Sequence, residues 1–80
     1  MQAMDALRAA AGAADVPITR IGPALGKSES YVSATASRGS VPRCDTMAEM
    51  AEACGYRLAL VPKSDVPPSA IAIDPADKRG

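Results

Sequence analysis

Apolar positions recur at helical spacing through the first two thirds of the chain, and then the period changes. Met4, Leu7 and Ala11 stand at i, i+3 and i+7 with Ala10 and Ala14 beside them, so residues 2–14 predict a first helix with a narrow apolar stripe. Pro17 bounds it, because proline disfavours helical geometry at Val16. Ile18, Ile21 and Leu25 mark a second helix that runs from residue 17 or 18 to residue 25, and Gly26 suits the left-handed position just past its end. Pro23 interrupts this pattern. In a regular helix interior it would cost about 3 kcal/mol, so a short, kinked or irregular helix is expected.

A third helix, residues 28–38, opens on Ser28 as N-cap, with Glu29 at the positive end of the helix dipole. Val32 and Ala36 form its inward face, Ser30, Ser33, Ala34 and Ser37 face outward or flank that stripe, and Gly39 ends it. Such a helix has little apolar surface to hold it, and its small polar face suits something it must lie against. Met47, Met50, Ala51 and Cys54 are the stripe of a fourth helix, residues 46–54, capped by Asp45 and closed by Gly55. Tyr56 then packs back on the last turn. From there Tyr56, Leu58 and Leu60 alternate with Arg57, Ala59 and Val61, which is strand spacing, and Pro62 ends the run. A lone strand has no hydrogen-bond partner. The same strand of a second copy, paired antiparallel across a two-fold axis, supplies one economically; the alternative is a segment packed on its own domain. Residues 1–62 are thus expected to form one mostly α domain with a C-terminal strand at 56–61. Residues 63–80 read as a Pro-rich, mostly disordered flexible tail whose Ile71 and Ile73 dock it weakly.

Composition narrows the picture. A chain of 80 residues buries only about 60% of its unfolded surface, so association is a natural supplement to its core. Its two tyrosines are the only aromatic residues, which leaves Ala, Leu, Ile, Val and Met to build that core. Net charge is zero, which alone speaks against nucleic acid, yet the charge is segregated. Residues 19–43 hold four basic side chains (Arg20, Lys27, Arg38, Arg43) against the single acid Glu29, a balance of +3, while residues 44–52 hold only Asp45, Glu49 and Glu52, a balance of −3. Ordinary solvated charge is the plain alternative.

The chain has no histidine, so the commonest general base and a common zinc ligand are missing. Phosphate-binding glycine motifs are missing as well. These features argue against an enzyme and call for no cofactor and no metal. Cys44 and Cys54 are not at metal-ligand spacing and read as reduced thiols. With no long apolar run and no secretory signal, a cytoplasmic protein that does not enter the membrane is expected.

Residues 21–55 resemble the helix-turn-helix of the Cro/C1-type phage repressors, the XRE-like regulators. The resemblance rests on Ile21-Gly22, Leu25-Gly26, Ser28, Val32-Ser33, Gly39, Pro42, Asp45-Thr46-Met47 and residues 51–55. The sequence departs from the family pattern at Gly22-Pro23, at the late Gly39 and in the strand that replaces a fifth helix. That strand resembles the subset, some antitoxins among them, that dimerises through a C-terminal β-strand. The resemblance implies a four-helix, lambda-repressor-like domain whose third helix enters the major groove of double-stranded DNA. Carried over position by position, Glu29, Ser30, Ser33 and Ala34 would meet base edges. Thr19, Lys27, Ser28, Tyr31, Arg38 and Arg43 would meet phosphates. Tyr56, Leu58, Ala59, Leu60 and Val61 would form the homodimer interface. Tyr31 is equally a half-buried ring that stabilises the turn, and Arg20 is equally a salt-bridge partner. The other functional class open to this sequence is a protein-interaction module on the same scaffold, such as an antitoxin that binds a partner protein.

Overall fold

Alanine gives up no side-chain entropy in a helix, and the alanine-rich start of the chain forms helix α1 (Ala3–Ala14), which buries Ala6, Leu7, Ala10 and Ala11. The structure, a computed structural model, describes residues 1–75. The next helical stretch divides in two, as Pro23 demands. A 3-10 turn, Ile18–Arg20, leads into a single α-turn, α2 (Ile21–Ala24). Pro23 thereby sits in the first turn of α2, where a missing N–H forfeits no intrahelical bond. Helices α3 (Tyr31–Ser37) and α4 (Cys44–Ala53) follow. α2 packs on α3 and α4, α1 packs on α4, and the 3-10 turn packs on α3. Leu7, Ala11, Ile21, Val32, Met47, Met50 and Cys54 meet in one core. Leu7, Ile21, Val32 and Met50 are its largest fully buried side chains, each worth about 1.5–3 kcal/mol of burial.

All four helices stop the same way. A left-handed residue follows each end, Asp15 directly after α1 and Gly26, Gly39 and Gly55 one residue beyond Leu25, Arg38 and Cys54, and its N–H and the next one turn back to orphan carbonyls. At α4, Gly55 donates to Glu52 at 2.9 Å and Tyr56 to Ala51 at 2.9 Å; at α2, Gly26 donates to Pro23 at 3.0 Å and Lys27 to Gly22 at 2.8 Å. Asp15, rather than Pro17, ends α1: its N–H reaches Gly12 and that of Val16 reaches Ala11. Tyr56 packs on the core behind its stop, as its position past Gly55 predicts.

Four expectations change. The third helix begins at Tyr31 instead of Ser28, because the Ser28 carbonyl accepts the Tyr31 N–H at 3.2 Å in a turn, and the first carbonyl in α-helical register is that of Ser30, which accepts from Ala34 at 2.8 Å. Ser28 is therefore no N-cap; its hydroxyl lies 3.3 Å from that of Ser30. The buried partner of Val32 is Thr35, three residues on, while Ala36 is half-buried. The fourth helix starts at Cys44, so Asp45 stands inside its first turn, where it accepts the Thr46 N–H at 2.9 Å and a guanidinium N–H of Arg43 at 3.1 Å. Residues 56–61 form no strand, since a ladder needs a second strand and no described segment lies in bonding register with this one. Tyr56 and Leu58 instead pack on their own core. Beyond Pro62 the chain makes a 3-10 turn, Lys63–Asp65, and returns to its beginning. There Asp74 donates its N–H to the Met1 carbonyl at 2.9 Å, and its carboxylate pairs with the Met1 ammonium. Ile71 is half-buried. The last part of the expected tail, residues 76–80, lies outside the described residues.

Gly22 is buried and lacks a side chain for reasons of space. A Cβ there would overlap the Ser28 carbonyl oxygen and stand 3.1 Å from the Cβ of Tyr31. Gly12, in the last turn of α1, has nothing within 4 Å of the same position. Gly22→Ala is therefore expected to lose stability by about 1–3 kcal/mol or more, and Gly12→Ala to gain about 0.5–1 kcal/mol, both read from urea unfolding.

Burial pushes the Cys54 thiol above its ordinary range. The folded protein then holds the thiol proton at alkaline pH after the unfolded chain has released it, so stability is full below the unfolded thiol's pKa and declines as pH rises through and above it. Melting temperature should fall more steeply above about pH 8.5 in the native chain than in Cys54→Ala, as followed by circular dichroism.

Candidate nucleic-acid interface

Between the left-handed stop of α2 and the end of α3, the chain exposes a series of polar side chains. Ser28, Glu29 and Ser30 form the turn that enters α3, and Ser33 and Ser37 continue the exposed surface along the helix; all five are solvent-exposed. Ala34 is half-buried. The turn owes its shape to Gly22, because the Ser28 carbonyl fills the space where a side chain would stand.

α3 is held from beneath by few groups. Val32 is fully buried in the core. Thr35 is 5% exposed, and its hydroxyl donates to the Tyr31 carbonyl at 2.8 Å, which satisfies it away from water. The apolar pattern alone did not reveal this residue. The signal available in the sequence was its position three residues after Val32, and a threonine methyl is apolar enough to pack there.

Cations flank the polar surface. Lys27 is exposed, and its Nζ lies 5.9 Å from the centre of the Tyr31 ring. Such a contact is worth about 0.5–1 kcal/mol at an exposed site. Tyr31 is half-buried and packs on the core, so the ring does stabilise the turn. Arg38 and Arg20 are exposed and form no ion pair among the described residues. Thr19 is exposed on the 3-10 turn that packs against α3. Arg43 is exposed but bound to Asp45, an ion pair at the start of α4. The structure therefore brings Lys27, Ser28, Glu29, Ser30, Tyr31 and Ser33 together on one turn and helix, and it couples Arg43 to the acidic helix that follows. Glu29 is the one carboxylate in this set.

The residues assigned to a dimer interface divide. Tyr56 and Leu58 are half-buried against their own core, whereas Ala59, Leu60 and Val61 are exposed. Arg57, between them, donates to the Glu52 carboxylate at 2.9 Å, and that carboxylate holds its guanidinium above the ordinary range. Among the described residues, no cluster of Cys, Asp and Glu is placed to hold a metal ion, and no helix is long and apolar enough to cross a membrane.

Tyr31→Ala should cost about 1–3 kcal/mol in stability, below the roughly 3–5 kcal/mol of a fully buried aromatic ring, while Tyr31→Phe should leave the unfolding midpoint unchanged. Equal losses from the two substitutions in urea titrations would show that the hydroxyl, rather than the ring, supports the turn.

Compared with protein-family models, with curated proteins and with solved structures, the chain matches none.

Proposed function

We propose that this chain is a dimeric, sequence-specific regulator that binds double-stranded DNA in the bacterial cytoplasm or nucleoid, with α3 and the turn before it directed into the major groove. The observation that carries this reading is the exposed run of Ser28, Glu29, Ser30, Ser33 and Ser37 flanked by the cations Lys27 and Arg38, on a helix that buries only Val32 and Thr35. Small polar side chains let a helix approach base edges closely, and cations at either end of it can anchor phosphates. The order of elements in residues 18–55 also supports the resemblance to the Cro/C1-type helix-turn-helix.

Within that reading, Ser30 and Ser33 bond to base edges, Glu29 accepts from a cytosine amine and Ala34 meets a thymine methyl. Because α3 begins at Tyr31, Glu29 and Ser30 act from the turn rather than from the helix. Thr19, Lys27, Ser28 and the Tyr31 hydroxyl serve phosphates, as does Arg38. Arg43 must first leave Asp45 to do so. No arginine or asparagine stands where a bidentate base contact forms, so phosphate contacts carry most of the affinity. The C-terminal run 56–61 pairs with its copy in the dimer.

A second reading, a protein-interaction module such as an antitoxin, is favoured by the zero net charge and by Glu29 at a reading position.

Selection from random DNA, read by sequencing, tests the first reading. It should return a palindrome whose half-sites lie about one helical turn apart. Lys27→Ala with Arg38→Ala should weaken binding to every sequence and flatten the logarithmic salt dependence by about one for each phosphate contact removed. Ser33→Ala should alter base preference instead. A chain that selects no sequence and is not retained on DNA at low salt, but co-purifies with a tight protein partner, would establish the second reading.

A further inference from the structure

The apolar surface that the fold leaves exposed is concentrated in one place. Six large apolar side chains stand exposed among the described residues, and four of them, Leu60, Val61, Val66 and Ile73, line a single open groove. Met47 and Ala48 of α4 share that lining with Leu58 and with Ile71 of the returning tail. The tail side of the groove is preformed, because the Asp74 N–H binds the Met1 carbonyl at 2.9 Å and holds the segment in place.

Size and chemistry define what this groove can take. Its volume is about 910 Å³, within the roughly 300–1,000 Å³ of sites that hold small molecules. By itself the lining of fifteen residues is smaller than the roughly 20–30 that each side of a stable protein interface contributes. Asp45 is the one charged residue in it, and its carboxylate is already bound to Arg43 at 3.1 Å. A charged ligand would therefore lose hydration and find no free counter-charge. Neutral hydrogen-bonding groups are available instead. Residues 58–61 belong to the lining, and among the described residues none of their backbone N–H or C=O groups is hydrogen-bonded within the chain. Pairing with a second copy would use the groups of alternate residues and leave the others free.

We propose that this groove is a binding site for an uncharged, largely apolar small molecule that carries one or two hydrogen-bonding groups. The apolar side chains of α4, of residues 58–61 and of the tail cover its body, and unspent backbone groups of residues 58–61 orient its polar end. The tail thereby acts as one side of a ligand site. The proposal goes beyond the DNA-binding reading and does not rest on it.

The test is fluorescence titration of the full chain with N-phenyl-1-naphthylamine, an uncharged two-ring probe with one N–H donor. It should bind saturably, one molecule per chain. Three competitors that share one ring system then separate the charge classes. The neutral 1-naphthol should displace the probe at a concentration at least tenfold lower than the anion 1-naphthalenesulfonate or the cation 1-naphthylmethylammonium. Ala70→Trp, at an exposed position in the lining, should fill the groove and abolish binding, whereas a merely adhesive apolar surface would bind as well or better. Val66→Asp with Ile73→Asp should weaken binding at least tenfold, with helical circular dichroism unchanged in both variants. Cys44, exposed and part of the lining, reports the position of the ligand: saturating 1-naphthol should slow its reaction with a disulfide reagent at least threefold. Absence of saturable binding, equal displacement by either charged competitor, full affinity in a folded Ala70→Trp variant, or an unshielded Cys44 overturns the site. Loss of DNA retention with these results intact would refute the regulator alone.

Discussion

The close approach of two backbones, α2 at Gly22 and the following turn at Ser28, sets the rest of the structure. The Ser28 carbonyl occupies the volume that any side chain at position 22 would fill. Because that carbonyl is turned toward α2 and accepts only the Tyr31 N–H, helix α3 starts late and is short. The same contact lets Ile21 and Val32 meet in the core above Met47 and Met50. It also leaves Ser28, Glu29 and Ser30 standing out from the surface. Packing and exposure at this corner have a single cause, the absence of one methyl group.

Much of the architecture was legible in the sequence because it is written locally. The stripes of α1 and α4, the break at Pro23 and the glycine stops at 26, 39 and 55 each depend on residues within a turn or two of one another. What escaped was set by contacts distant in sequence or by competition between equivalent local signals. Ser28 and Ser30 are both acceptable helix starts by residue type, and only the carbonyl packed against Gly22 decides between them. Asp45 has the chemistry of an N-cap, yet Arg43 takes that position and binds the aspartate as a partner. Thr35 is polar by composition and buried in fact, because the carbonyl of Tyr31 lies within reach of its hydroxyl. The sequence places the candidate surface on one segment, and the structure exposes Ser28, Glu29, Ser30 and Ser33 along it while tying Arg43 to the acidic helix. The alternation at 56–61 is genuine, but within one chain it becomes a segment laid along the core, since pattern alone cannot supply a neighbour for the ladder.

Two surfaces of contrasting character result. One, from residues 27–38, is polar and flanked by cations, and it sits over a thinly buried helix. The other, around residues 58–61 and 66–73, is apolar and nearly free of charge. They draw on different parts of the chain, so a change on one surface need not alter the chemistry of the other. α2 and α4 join them through the core.

Helix α3 contrasts with its neighbours in what secures it. α1 and α4 each bury a stripe of side chains, whereas α3 has seven residues and buries two. Its opening exposes little apolar surface, so the free energy of that local event lies well below that of unfolding the whole domain. Amide protons of residues 34–38 should therefore exchange with solvent through excursions of this one helix, while those at the centre of α4 should wait for global unfolding. A ligand that seats α3 must also supply the order that its own burial does not, and part of the gross binding energy is consumed in slowing that exchange.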